Sequence, residues 1–339
     1  MIPISAIKPL LKYFDAIDRH CTAGLMYKRP HNETTITQNL CSLLDEEEQQ
    51  RAALNYSFTN LQKDLSNVAG GLRVEISTHE YNSAVENRVT QSDLGLIINY
   101  INYYEPSLCW TESWLFQAKS LKPKILTPVT YTDESKFDSI SSVQIERIKW
   151  LKNIVKVDFI RFMDYCPRAH LLDTLVRDKL ICYRNLVLSN DIFDYALGLE
   201  LRDCLVRADQ NLEPGMFISY IEQEIKTKSY LDIYKNFWRK SYPFSWFILL
   251  RLTLPNFSGC HQLSLHGNTN QDNRLSINPY HPIPEFNSSS INSATLAYAI
   301  VCCNEEATNH FLRELGEYEG NFTIYPARRI VINISVGRE

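Results

Sequence analysis

Residues 89 to 121, VTQSDLGLIINYINYYEPSLCWTESWLFQAKSL, constrain the fold more than any other stretch of this chain. DLGLIINYINYY is dense in β-branched and aromatic side chains, EPS supplies a turn, and SWLFQAKSL resumes a two-residue alternation. The segment therefore reads as two antiparallel strands. In the second strand Trp114, Phe116 and Ala118 share one face, while Leu115, Gln117 and Lys119 share the other. In an antiparallel pair the start of one strand lies beside the end of its neighbour, which brings Asp93 next to Gln117 and Lys119. An acid, an amide and an ammonium are thus expected together on one hairpin.

The flanking segments add elements on either side. HNETTITQNLCSLL, residues 31 to 44, reads as a helix capped by His31 or Asn32, with Glu33 in the first turn where the helix dipole favours an acid. Ile36, Leu40, Leu43 and Leu44 form one apolar stripe. At 100° per residue Glu33 falls on that stripe, so its carboxylate turns toward the core, where a metal ion or a lysine would serve as partner. A plain N-terminal capping acid is the simpler alternative. A polar helical stretch ends at Gly70-Gly71, LRVEISTHEYN reads as a strand, SSVQIERIKWLKNI as a helix capped by Ser141 or Ser142, and VDFIRFMDY as a strand. The order helix, strand, strand, strand, helix, strand predicts an α/β (α+β) fold, a mixed sheet with helices packed against it.

Beyond residue 170 the pattern is less regular. IFDYALGLELRDCLVRA and MFISYIEQEIKTKSYLDIYKNFWRK read as helical, FSWFILLRLTLP as a buried strand or helix, NTNQDNRLSINPYHPIPEFNSSS as an exposed loop, and ARRIVINISVG as β-rich. Two domains are expected, residues 1–170 and residues 171–339. The second has no assigned role beyond recognition, sensing or partner binding.

Composition excludes several classes. With 339 residues, 45% apolar and 22% charged, the chain can bury a substantial core and is not extensively disordered. MIPISAIKPLLKYFDAIDRH lacks the apolar core and cleavage site of a signal peptide, and FSWFILLRLTLP is too short to cross a bilayer, so a cytoplasmic protein with no membrane contact is expected. Nine scattered cysteines without a CxxC pair fit thiols in a reducing compartment. CHQLSLH lacks the second ligand pair of a structural zinc site. Net charge is −4, yet residues 119 to 168 hold ten Lys or Arg against six acids. That excess reads equally well as a phosphate-facing surface or a solvated helix face.

An acid opening one strand, followed on the next by a polar residue, a spacer and a lysine, resembles the PD-(D/E)XK nuclease superfamily. Here the motif reads Ser92-Asp93 and Gln117-Ala118-Lys119, and Glu33 in NETTITQNL is similar to the glutamate on the first core helix of such folds. Glutamine in place of the second acid resembles the Mrr-like branch of restriction endonucleases. TQSDLGLII is similar to that branch's Gly-Ala-Asp segment, and Gln144 to its auxiliary glutamine. The resemblance covers roughly residues 30 to 165. Ser92 departs from it by replacing proline or Gly-Ala, and Gln117 by removing one anionic metal ligand.

The resemblance implies a restriction-endonuclease-like core and a Mg2+- or Mn2+-dependent DNA endonuclease in bacterial restriction or anti-phage defence. It implies Asp93, Glu33, Gln117 and the Ala118 carbonyl as metal ligands, with Lys119 holding the attacking water and stabilising the developing charge. Gln144 would orient a water or the substrate backbone. Glu86 is a reserve ligand, though a solvated loop acid describes it more simply. Expected partners are DNA and either a second copy of the chain or a defence-system subunit. Three alternatives compete: a binding or assembly protein that keeps the fold without catalysis, an RNA-directed nuclease, and a plain cross-strand ion pair between Asp93 and Lys119, which leaves Glu33 without a role.

Overall fold

The computed structural model describes residues 2–49, 53–81, 92–190, 213–221, 227–237, 239–252, 273–284, 293–316 and 325–337. Three segments read from the sequence, IFDYALGLELRDCLVRA, CHQLSLH and the loop carrying Glu86, lie outside the described residues.

In chain order the elements are α1 (Ile4–Ala23), α2 (Glu33–Leu44), α3 (Glu46–Gln49), α4 (Phe58–Val68), β1 (Leu72–Glu80), β2 (Ser92–Asn102), β3 (Trp110–Ser120), β4 (Ile125–Leu126), β5 (Val129–Thr130), α5 (Ser142–Val155), β6 (Ile160–Tyr165) and α6 (Thr174–Asn190). There follow β7 (Met216–Tyr220), α7 (Tyr230–Lys235), β8 (Ser241–Pro243), α8 (Phe244–Leu252), β9 (Arg274–Ser276), α9 (Ser293–Val301), α10 (Glu305–Glu314) and β10 (Pro326–Val336). This is the mixed α/β content, of the α+β kind, that the sequence predicts.

The central sheet runs β1-β10-β2-β3-β6-β7-β8, with β9 paired to the first residues of β3. β1 shows its periodicity openly: Leu72, Val74 and Ile76 are buried while Arg73, Glu75 and Ser77 are exposed, as at a sheet edge with one solvated face. β2 and β3 are buried along nearly their whole length because both faces of the sheet are covered there. One core packs Leu94, Leu96, Ile98, Trp114, Phe116 and the even-numbered isoleucines of β10 against α1, α2, α4 and α8. The other packs Ile97, Leu115, Ile160 and Phe162 against α5, α9 and α10.

β10 lies between β1 and β2, antiparallel to the first and parallel to the second. The β2–β3 hairpin and the helix-to-strand step through α5 and β6 are as predicted; the strand inserted between β1 and β2 is not. The expected division at residue 170 does not divide this sheet, since β7, β8, β9 and β10 all come from beyond it. The helical reading of MFISYIEQEIKTKSYLDIYKNFWRK is corrected in part: MFISY is strand β7, paired with β6 and β8, and among the segment's described residues only Tyr230–Lys235 is helix. Met216, Phe217, Ile218 and Ser219 are all buried, a pattern in which strand and helix periods cannot be told apart. FSWFILLRL is helix α8. The loop read as exposed contains β9, and its Asn273, Leu275 and Ile277 are buried.

Candidate functional site

β2 and β3 pair from Tyr100–Trp110 as far as Leu94–Phe116. One step further on, side chains replace backbone pairing. Asp93 Oδ2 accepts the Ala118 N–H at 2.8 Å and also the Gln117 amide N–H. Here a carboxylate does the work of a ladder carbonyl, which fixes Asp93 between the two strands. Gln117, only 3% exposed, keeps its carbonyl Oε1 without a hydrogen bond among the described residues.

Glu33 arrives from the first turn of α2. The helix starts there because Asn32 caps it, its side chain accepting the Thr35 N–H at 2.9 Å. The stripe of Ile36, Leu40, Leu43 and Leu44 is buried as predicted and carries Glu33 to the end of β3. Glu33 Oε1 lies 3.9 Å from Lys119 Nζ, and Oε2 has no hydrogen bond among the described residues. Lys119 is 5% exposed, an ammonium enclosed at the end of its strand.

These neighbours set the electrostatics. Burial pushes the Glu33 carboxyl up to about 7; Lys119 opposes the rise, while Asp93 and Asp138 add to it. Burial also pushes Asp93 above the ordinary carboxylate range, against the Ala118 N–H, Lys119 and Arg328, all of which favour the ionised form. Two carboxyl groups therefore share a site in which one ammonium does not compensate them.

The structure brings Asp93, Gln117, Lys119 and Glu33 together. Gln144 is different: its Oε1 accepts the Ser141 N–H at 3.2 Å, and its own N–H donates to Ser141 Oγ at 3.2 Å. That reciprocal box caps α5, and no hydrogen bond or ion pair joins Gln144 to the other four. Asp138 was not singled out from the sequence. It follows the β4–β5 excursion, accepts from Ser120 Oγ at 3.1 Å and pairs with Lys122 Nζ at 2.9 Å. Its separation from Lys119 across an irregular excursion gives no periodic signal.

The basic stretch divides in two. Arg161 is buried in an ion pair with Asp158, Arg168 is buried against Asp15 and Asp18, and Lys152 gives its ammonium to the Ile221 carbonyl at 2.8 Å. Lys122, Lys124, Lys136, Lys149 and Lys156 are exposed, the first three in the excursion that follows Lys119. Seven of the cysteines lie among the described residues and are free thiols, with Cys182 exposed. Among the described residues no helix is long and apolar enough to cross a membrane, and no group of three or more His, Cys, Asp or Glu side chains could hold a metal ion. Comparison of the chain with protein-family models, curated proteins and solved structures finds no match.

Proposed function

We propose that this chain is a metal-dependent endonuclease that hydrolyses DNA phosphodiester bonds, on a restriction-endonuclease-like core. The observation that carries this reading is a pair of buried oxygens, Gln117 Oε1 and Glu33 Oε2, that have no hydrogen-bond donor among the described residues and lie in a cluster with Asp93 and Lys119. A buried acceptor left without a donor costs about 1–3 kcal/mol, so these oxygens are a standing cost unless something else satisfies them. A hard divalent cation does so, because it is coordinated by oxygen atoms and compensates the two carboxyl groups.

Asp93, Glu33, Gln117 and the Ala118 carbonyl are the groups that would hold Mg2+ or Mn2+. When bound, the cation would supply Lewis acidity and lower the pKa of a water. Lys119 then provides N–H donors and positive charge where a phosphate and its attacking water would sit. The role in restriction or anti-phage defence rests on the resemblance of the motif. One observation favours a non-catalytic reading: in this structure Gln117 closes on Asp93 and Lys119 approaches Glu33, so the cluster partly satisfies itself.

Incubation of plasmid DNA with magnesium tests the choice, with Lys119→Ala in parallel. The endonuclease reading expects magnesium-dependent conversion of supercoiled to open and linear forms, reduced at least about 100-fold in the variant. Equal cutting by both proteins removes Lys119 from the mechanism. RNA of similar length, run alongside, overturns the DNA assignment if it alone is cleaved. Absence of both cleavage and magnesium binding leaves the cluster as structure.

A further inference from the structure

Asp164 has no part in the site as described so far. It pairs with Lys119 in the parallel β3–β6 register, so the two side chains leave neighbouring strands toward the same side of the sheet. Asp164 is fully buried. Its Oδ2 is doubly served, by Ser219 Oγ at 2.5 Å and Lys228 Nζ at 2.8 Å. Its Oδ1 accepts no hydrogen bond among the described residues. Lys119 has the complementary deficit. Its ammonium carries three donors, and its ion-pair partner, Glu33 Oε1, stands 3.9 Å away, beyond hydrogen-bond distance. Among the described residues, a buried acceptor without a donor and an ammonium without a hydrogen bond thus stand in register on adjoining strands.

Resting on the reading of the site given above, we propose that Asp164 is the positioning residue for Lys119 when the site holds its cation. With a divalent ion held by Glu33 and Asp93, Lys119 would lose Glu33 as its anionic partner, and its ammonium would need another acceptor. Asp164 Oδ1, in register with Lys119 on the adjoining strand, is a buried acceptor able to receive that ammonium. Pairing there uses one N–H of Lys119 and directs the others at the phosphate and water. Ser219 and Lys228 hold the opposite oxygen, so the carboxylate cannot turn away, and both come from beyond residue 170. The second half of the chain therefore sets the geometry of a lysine in the first.

The experiment uses the full chain and its Asp164→Asn variant, both checked for folding by thermal unfolding. The first readout is the Lys119 Nζ resonance, assigned by its loss in Lys119→Arg and followed as magnesium is added. In the wild type it shifts as the ammonium exchanges Glu33 for Asp164; in Asp164→Asn that shift is lost. The second is steady-state cleavage, where kcat is expected to fall about 10–100-fold, the usual cost of losing a supporting partner, with KM and magnesium affinity unchanged. Should Asp164→Asn fail to fold, Asp164→Glu keeps the charge while displacing its oxygens, and a kcat and Lys119 shift equal to wild type in that protein sinks the proposal. Magnesium binding with an unaltered Lys119 response in Asp164→Asn overturns the proposal alone. Magnesium failing to bind even the wild type overturns both it and the reading of the site.

Discussion

Asp93 and Gln117 meet one rung beyond the last backbone pair of β2 and β3, and their side chains close the ladder there. Asp93 Oδ2 takes the Ala118 N–H at 2.8 Å together with the Gln117 amide N–H, while Gln117 Oε1 stays without a donor among the described residues. An amide at this position does two things a carboxylate cannot do together: it donates to its acidic neighbour and presents a neutral oxygen beside it.

Gln117→Glu exchanges that donor for a second anion against Asp93. Without metal the variant should lose stability on the order of 1 kcal/mol, since like charges now face each other across the strands. With magnesium or manganese the added charge–charge attraction should tighten binding by about tenfold, or about 1.4 kcal/mol. Gln117→Ala removes the oxygen altogether and should weaken both binding and cleavage. Calorimetric titration of the three proteins checks this order; three identical isotherms would remove Gln117 from the ligand set.

Glu33, pushed up to about 7 mainly by burial, carries a proton over part of the neutral range. A ligand must shed that proton, so metal affinity should rise with pH between about 6 and 8, by up to tenfold per unit below the pKa. Glu33→Gln should abolish the slope. The metal-free protein should behave in the opposite sense. Because the folded pKa lies above the ordinary value of 4.5, the contribution of Glu33 to stability is fully present below that value and is lost as pH rises through about 7. Magnesium titrations and thermal unfolding at pH 5, 6, 7 and 8 read both trends, and a pH-independent affinity would exclude Glu33 as a ligand.

Arg168 ties α1 to the segment after β6. It donates to Asp15 at 2.7 Å and Asp18 at 3.2 Å, and Asp18 also accepts the N–H groups of Gly215 and Met216, each at 2.9 Å. Burial holds Asp18 up at about 6 even with Arg168 opposing the rise. Arg168→Met leaves the enclosed Asp18 without its cation and Asp15 with Arg19 alone, and should cost about 3–5 kcal/mol in denaturant unfolding. A loss under about 1 kcal/mol would show that the carboxyl groups reach water by another route.

Ending the chain after Tyr325 removes β10. Ile330, Ile332 and Ile334 leave the core, and β1 and β2 lose the strand between them. The truncated protein, like residues 1–170 alone, should show no cooperative unfolding transition. A cooperative transition in the shorter piece would restore the two-domain reading of the sequence.

The parts of this fold that were legible in the sequence are those whose signals are local. The alternation in β3 assigned faces to Gln117 and Lys119, the stripe on α2 turned Glu33 inward, and Ser141 or Ser142 marked the start of α5, which Ser141 caps. What escaped depends on pairings made at long range. ARRIVINISVG reads as β-rich, but nothing in it names β1 and β2 as its neighbours. MFISY is buried at four successive positions and so carries neither period. Gln144 was assigned by resemblance to the site, while a cap needing the same side chain lay three residues upstream. Asp138 comes near Glu33 through an irregular excursion and Asp164 comes into register with Lys119 through a parallel pairing, which spacing along the chain does not encode.

The place of β10 also orders events in time. Asn99 and Asn333, 234 positions apart, share a hydrogen bond across the β2–β10 pair. Such distant partners are found late, because the chain must close a long loop before the contact repays it. A ribosome that has translated as far as residue 320 has already made Glu33, Asp93, Gln117 and Lys119, yet the strand that flanks Asp93 does not exist. For most of its synthesis the chain carries every residue of its proposed chemistry and no finished sheet to hold them.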